Sequence, residues 1–156
     1  MLEKVLTSSI SISLQKQNED IAFTFPRIYS EINGAIDWNW YIEDIENFVR
    51  AFSKPNLGSF TFYKGEKVII ISSEILNLED DYHSYYIGKI IGLYKTRYVK
   101  IVVKGGVLII KKIKYNDNEQ NAAKYFNIGE TLYTHADYLE RARHTRVQPK
   151  NMDSEF

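Results

Sequence analysis

The sequence contains no cysteine. A chain without thiols cannot form a disulfide, use a thiolate nucleophile or bind a metal through sulfur. It also has no uninterrupted apolar run near the ~20 residues that a membrane-spanning helix requires. The N-terminal residues, with Glu3 and a stretch rich in Ser and Thr, lack the apolar centre of a signal peptide. We therefore expect a cytoplasmic protein with no membrane partner.

The composition is typical of a globular protein with a β-rich core. Hydrophobic residues make up 44% of the 156 residues and charged residues 26%. The aromatic share is 14%, with 12 Tyr and 8 Phe, and these residue types favour strands. The length corresponds to one domain with a true core and additional terminal elements.

The formal net charge is zero, but the charges are unevenly distributed. Residues 89–114 contain eight basic side chains and no acidic one. Such a block can attract phosphate groups, and it supplies a candidate phosphate- or nucleic-acid-binding patch: Lys95, Arg97, Lys100 and Lys104. The alternative, which the strand pattern favours, is that the lysines alternate with buried residues on solvated or edge strands and discourage aggregation.

The stretch from Ala35 to Tyr63 predicts a helix, a stop and a strand. Asn39 is the predicted N-cap, because its side chain can accept a hydrogen bond from a first-turn N–H. Pro55 ends the helix, and Gly58 allows a tight turn into the aromatic run 59–63. The i, i+3, i+4, i+7 spacing places four apolar residues on one buried face: Ile45, Phe48, Val49 and Phe52.

Further strands follow this helix, and helices flank them. Period-two patterns and turn residues predict strands at 59–63, 67–75, 88–94, 98–103 and 107–113. Five short strands with tight turns suggest a small barrel of the oligonucleotide/oligosaccharide-binding type within a mixed, β-rich α+β fold. Helices are predicted at 2–14 and 135–144, the second with a capping box formed by Thr134 and Asp137.

The segment 33–61 contains a distinctive sequence motif: Asn33-Gly34-x-Ile36-Asp37-Trp38, then Val49-Arg50-Ala51-Phe52-Ser53-Lys54-Pro55-x-x-Gly58-x-Phe60-Thr61. It resembles the linker and C-terminal domain of the folate-dependent formyltransferases, a family that includes methionyl-tRNA formyltransferase and the nucleotide-sugar N-formyltransferases. The resemblance implies the same barrel. It predicts a linker helix and extended segment at 1–34, a barrel domain at 35–147 and a flexible tail at 148–156.

In that family the chemistry belongs to an N-terminal domain, where an Asn, a His and an Asp act on the formyl group of 10-formyltetrahydrofolate. A His-x-Ser-Leu-Leu-Pro segment accompanies them. Here His83 is followed by Ser84-Tyr85-Tyr86, and too few residues precede Ala35 for such a domain. We therefore expect no catalytic residue, metal or cofactor in this chain, and no activity when it is alone.

The resemblance also suggests substrate contacts at Arg27, Trp38 and Lys54. Ser53-Lys54-Pro55 and Phe25-Pro26-Arg27 favour the nucleotide-sugar branch over the tRNA branch. For Arg27 the alternative is a surface arginine, and for Trp38 it is a core or interdomain wedge. The three histidines are expected to be surface residues.

Three functions remain open. The first is a non-catalytic domain or fragment of a formyltransferase that positions substrate or dimerises beside a separate catalytic domain or chain. The second is a barrel that binds tRNA or single-stranded nucleic acid through basic and tyrosine side chains; overall neutrality makes it less favoured. The third is a purely structural or dimerisation module with an exposed docking face.

Overall fold

The computed structural model describes residues 28–77 and 82–144. Within these ranges the helices are α1 (Ser30–Asn33), α2 (Ile42–Phe52) and α3 (Ala136–His144). The strands are β1 (Ser59–Tyr63), β2 (Glu66–Asn77), β3 (Ile90–Tyr94), β4 (Tyr98–Val103), β5 (Gly106–Tyr115) and β6 (Asn118–Asn121). Single 3₁₀ turns form at Ser84–Tyr86 and Ala122–Lys124. None of these helices is long and apolar enough to cross a membrane.

All six strands belong to one antiparallel sheet. Its order is β1-β2-β5-β4-β3, and β6 pairs with the end of β5. The hairpin predicted at Lys64-Gly65 is confirmed, with Tyr63 opposite Glu66. The β2–β5 ladder contains several register shifts. Bulges of this kind bend a strand and increase its twist, so they let the long β2 follow a curved sheet.

The expectation of a closed five-stranded barrel is not confirmed. All five predicted strands are present, but the sixth strand, β6, carries only polar residues and gives no period-two signal. No ladder among the described residues joins the outer strands β1 and β3. Instead the segment 129–133 forms isolated bridges to β1 (Tyr133 with Phe62) and to the residue just before β3 (Thr131 with Lys89). The predicted helix at 2–14 and the tail at 148–156 lie outside the described residues.

The main core lies on the face of the sheet against which α2 packs. Ile42, Ile45 and Val49 of α2 are buried against strand residues such as Ile70 and Leu108. The predicted helix face is largely confirmed, although Phe48 is only partly buried. The predicted cap is wrong: α2 begins after Tyr41 without a side-chain cap. Asn39 instead donates from its backbone and side-chain nitrogens to Asp37, each at 3.0 Å.

A smaller cluster lies on the opposite face of β1, beneath α3. Phe60 and Phe62 of β1 are buried there, with Leu139 and Ala142 of α3 packed against them. The predicted capping box of α3 is not formed, because the buried hydroxyl of Thr134 has no hydrogen-bond partner. Burial of apolar area against β1 therefore holds this helix, since its own N-terminal capping is weak.

The Thr61 hydroxyl links three parts of the chain. It accepts a hydrogen bond from the Trp38 indole N–H at 2.8 Å and donates to the Tyr133 carbonyl at 2.9 Å. Thr61 is fully buried and Trp38 is 5% exposed, so water cannot replace either partner. The segment before α2, strand β1 and the segment 129–133 are thereby fixed to one another.

We expect Thr61→Val to destabilise the domain by about 1–3 kcal/mol, because it keeps the shape but leaves the buried Trp38 N–H unpaired. Urea unfolding followed by tryptophan fluorescence measures this change. Thr131→Val is the matched control, since that side chain is exposed. Equal stability of Thr61→Val and Thr131→Val would contradict the role given to the Thr61 hydroxyl.

Candidate docking and ligand-binding surfaces

The loop Ser53–Gly58 connects α2 to β1 and is fixed at both ends. The Ser53 hydroxyl lies 2.7 Å from the carbonyl oxygens of both Val49 and Ile71, so its one hydrogen can be shared between the helix and β2. The Gly58 N–H donates to the Phe52 carbonyl at 2.9 Å. Gly58 has φ +97°, and a Cβ atom there would lie 2.4 Å from the Ile69 side chain. Glycine is therefore required at this turn.

A cleft of about 390 Å³ opens beside this loop. Lys54 crosses it to form an ion pair with Glu119 of β6, with Nζ and Oε1 2.8 Å apart. Leu57 in the same loop is 53% exposed. Lys114 also lines the cleft and pairs with Asp117 at 2.9 Å. The cleft thus combines an exposed aliphatic side chain with charged groups, a combination suited to a polar partner surface or a small charged ligand.

The Lys54–Glu119 contact perturbs the acid. The hydrogen bond from Lys54, followed by its charge, holds the pKa of the Glu119 carboxyl below its usual value. Both side chains are largely exposed, at 74% and 42%. An exposed pair of this kind is weak and easily exchanged for another partner. Lys54 can therefore leave Glu119 for an incoming anion at little cost.

The other proposed substrate contacts lie elsewhere. Trp38 is buried, and its N–H is already used by Thr61, but it lines a separate cleft of about 240 Å³ with Asp37, Ser84 and Leu139. Arg27 lies outside the described residues. Among the described residues, Lys54 and Trp38 do not line a common cleft. Their roles as substrate contacts stay predictions.

The four residues of the predicted basic patch do not form one cluster. Lys95 and Arg97 lie at the β3–β4 turn, Lys100 lies in the middle of β4, and Lys104 follows its other end. At about 3.3 Å per residue, the two ends of this strand are roughly 20 Å apart. The Lys104 ammonium lies 4.2 Å from the centre of the Tyr41 ring. Nucleic-acid binding by the patch stays a prediction.

The three histidines lie apart from one another in the described structure. His144 lies 3.2 Å from Glu140 on the surface of α3, and the His83 ring accepts a hydrogen bond from the Tyr85 N–H in an exposed turn. His135 packs against the rings of Phe62 and Tyr133. Within residues 28–77 and 82–144 no three His, Asp or Glu side chains form a group that could hold a metal ion.

Comparison with known proteins identifies the family. Residues 29–130 match the family described as "Formyl transferase, C-terminal domain", which is more than half of the chain. The chain belongs to this family. The family resemblance in the segment 33–61 is thereby confirmed.

Two curated relatives of this formyltransferase C-terminal domain are methionyl-tRNA formyltransferases. The protein from Clostridium tetani is 27% identical over 116 residues, which cover 74% of this chain and 36% of that protein. The protein from Acetivibrio thermocellus is 24% identical over 109 residues, or 70% of this chain and 34% of that protein. The chain thus spans about a third of the length of these relatives. They do not support the expected preference for the nucleotide-sugar branch.

Solved structures show the same fold in another protein of different length. A multiply substituted variant of HypX from Aquifex aeolicus matches with a TM-score of 0.54 and 17% identity. The match covers 79% of this chain and 21% of that chain. A second HypX variant matches with a TM-score of 0.53. At this level of identity the likeness concerns the fold alone.

Sequence reasoning missed the acidic partner of the loop in this formyltransferase C-terminal domain. Glu119 belongs to the short polar strand β6, which lies 65 residues beyond Lys54 in the sequence and carries no apolar pattern. Its only signal was its position among polar residues, which is equally typical of a loop. The contact depends on the pairing of β6 with β5, and that pairing places residues 118–121 beside Lys112–Tyr115.

We expect Lys54→Met to raise the pKa of Glu119 towards its ordinary value, because the hydrogen bond that lowers it is lost. In the native protein the pair stabilises the loop at pH values above the ordinary carboxyl pKa, and this contribution disappears as the pH falls through the lowered pKa. NMR titration of the Glu119 carboxyl carbon measures the shift. Lys64→Met, which removes the partner of Glu130 instead, should leave Glu119 unchanged. An unaltered Glu119 titration in Lys54→Met would contradict the assignment.

Proposed function

We propose that this chain is the non-catalytic C-terminal domain, or a fragment, of a 10-formyltetrahydrofolate-dependent N-formyltransferase. Its role is to dock beside the catalytic domain or chain and help to position the amine substrate. Family membership over residues 29–130 carries this proposal. The match to a methionyl-tRNA formyltransferase covers 74% of this chain and 36% of that protein, so the proposal concerns this domain and not the whole enzyme.

The loop Ser53–Gly58 is the proposed docking and positioning element. It is fixed by the Ser53 and Gly58 hydrogen bonds, so little conformational entropy is lost when a partner binds it. Leu57 offers exposed apolar area, and Lys54 offers a cation that an exposed carboxylate holds only weakly. A phosphate or carboxylate of the substrate complex can replace Glu119 as the partner of Lys54.

The substrate is either a nucleotide-linked amino sugar or an aminoacyl-tRNA. The segment Ser53-Lys54-Pro55 favours the sugar. The printed names of both curated relatives favour methionyl-tRNA. Both substrates carry phosphate, so Lys54 can serve in either case.

The test is complementation in trans. The catalytic part of the Clostridium tetani methionyl-tRNA formyltransferase is produced without its C-terminal third and mixed with this chain. We expect the two proteins to form a complex whose KM for the amine substrate is lower than that of the catalytic part alone. This chain alone should transfer no formyl group from 10-formyltetrahydrofolate. Leu57→Asp should weaken the complex by about tenfold, because a charge replaces buried apolar area.

The matched control for the complementation test is Leu76→Asp on β2, where a leucine is 38% exposed away from the loop. Formyl transfer by the chain alone would refute the non-catalytic role. Failure to form a complex with the catalytic part, or equal effects of the two aspartate variants, would refute docking through the loop.

Nucleic-acid binding is the second candidate. Lys104 beside the Tyr41 ring and the 80% exposed Tyr85 are of the type that stack on bases and attract phosphates. If this function holds, the chain alone should bind tRNA with an affinity that falls steeply as salt is added. Binding of tRNA that requires the catalytic part would favour the first proposal instead.

A further inference from the structure

Strand β3 is an outer strand, and among the described residues its outer side has no backbone hydrogen-bond partner over most of its length. Its first residue, Ile90, bonds to the segment 129–133 through Glu130 and Gly129. From Ile91 to Tyr94 the structure gives no backbone partner other than β4 and the adjoining turn. Because backbone groups alternate between the two sides of a strand, donors and acceptors of alternate residues face outward there.

Aliphatic side chains are exposed beside this free side. Ile91 is 42% exposed and Leu93 41%, and Ile128, which precedes the bridge to Ile90, is 60% exposed. We call these three residues the β3 edge patch. Exposed aliphatic residues around unpaired backbone groups are the features that β-strand addition uses. The edge is short, and a register shift at Ile91 interrupts it, so a ligand must be equally short.

Gly92 in the middle of β3 adjoins this register shift, but neither its backbone conformation nor a steric contact requires glycine there. Its φ is not among the positive values, and a Cβ atom built there meets nothing within 4 Å. Glycine weakens a strand, and in a strand interior it often marks a close approach by another group. An open position of this kind can accept a large side chain from a neighbouring strand, as aromatic residues cover edge glycines in designed sheets.

The basic side chains around the free edge of β3 favour an acidic partner. Lys89, Lys95, Arg97 and Lys100 flank β3, and none of them forms an ion pair with a described carboxylate. Lys95 does act on Glu74, whose pKa is lowered mainly by its hydrogen bond to Lys111. In an antiparallel pair of two β3 strands, lysines 89 and 95 of the two copies would face each other. Self-pairing is therefore disfavoured, while an acidic partner is attracted.

We propose that the free edge of β3 binds a short extended segment of another protein chain, with a large apolar side chain opposite Gly92 and carboxylates at both ends. The surface is separate from the loop Ser53–Gly58, which contacts β2 and β6 at the other side of the sheet. Binding at the β3 edge therefore does not depend on docking through the loop Ser53–Gly58. Aliphatic rather than aromatic exposed residues favour a protein strand over nucleic acid.

The probe is a nine-residue peptide with two aspartates at each end and Thr-Val-Tyr-Val-Thr between them. We expect it to shift the NMR amide signals of Ile91–Tyr94 and to bind with an affinity that falls with salt. Ile91→Ser should weaken binding by about tenfold, since the apolar contact with the peptide is lost and the charge of the edge is unchanged. Leu57→Ser is the matched control and should bind the peptide normally.

Gly92→Val separates binding from folding. The space around Gly92 and its ordinary φ admit a β-branched residue, so the variant should raise Tm by about 2–4 °C. The valine occupies the space of the peptide's apolar side chain, so the affinity for the peptide should fall by about tenfold. No shift at Ile91–Tyr94 up to millimolar peptide would overturn the proposal, as would equal binding of a peptide with lysines in place of aspartates. It would also be overturned by concentration-dependent dimers that Ile91→Ser dissolves, or by single-stranded DNA binding more tightly at the same amides.

Discussion

The segment from Gly129 to Tyr133 is hydrogen-bonded to both outer strands of the sheet, and the other surfaces depend on this contact. Tyr133 exchanges two backbone hydrogen bonds with Phe62 of β1, at 2.7 and 3.1 Å. The Leu132 N–H donates to the Gly88 carbonyl just before β3 at 2.9 Å. A Cβ atom at Gly88 would lie 2.3 Å from the Leu132 carbonyl oxygen, so the close approach requires glycine. Without this segment, two sheet edges would be open to solvent and to other chains.

The same segment determines where the candidate surfaces lie. It receives the Thr61 hydrogen bond, so the orientation of Trp38 and the start of α2 are fixed to it. The end of α2 in turn positions the loop Ser53–Gly58 through the Ser53 hydroxyl. At β3 the segment covers Ile90 and leaves Ile91–Tyr94 free. One contact thus supports the loop Ser53–Gly58 on one side of the sheet and, on the other, an edge that no described strand pairs with.

Sequence patterns predicted the parts of this fold that local physics controls. The apolar spacing of α2, the Lys64-Gly65 hairpin and the period-two strand at 98–103 are confirmed by the structure. Asn39 was assigned to the wrong role because Asp37 offers its side chain a competing partner. Strand β6 and the bridges of Tyr133 and Thr131 depend on pairing between distant residues that carry no apolar alternation. Family resemblance singles out Lys54 as a predicted substrate contact. Its ion-pair partner Glu119 can be recognised only once the fold is known.

Native-state hydrogen exchange of the Phe62, Leu132 and Tyr133 amides tests most directly whether the segment 129–133 connects the two outer strands of the sheet. The account predicts that these amides exchange only with global unfolding, with the same free energy and the same denaturant dependence as buried core amides such as those of Ile101 and Leu108. Exchange of Leu132 and Tyr133 through a local opening, at a free energy well below the global value, would contradict it. The segment would then be a loosely attached loop, and the two edges of the sheet would be independent of each other.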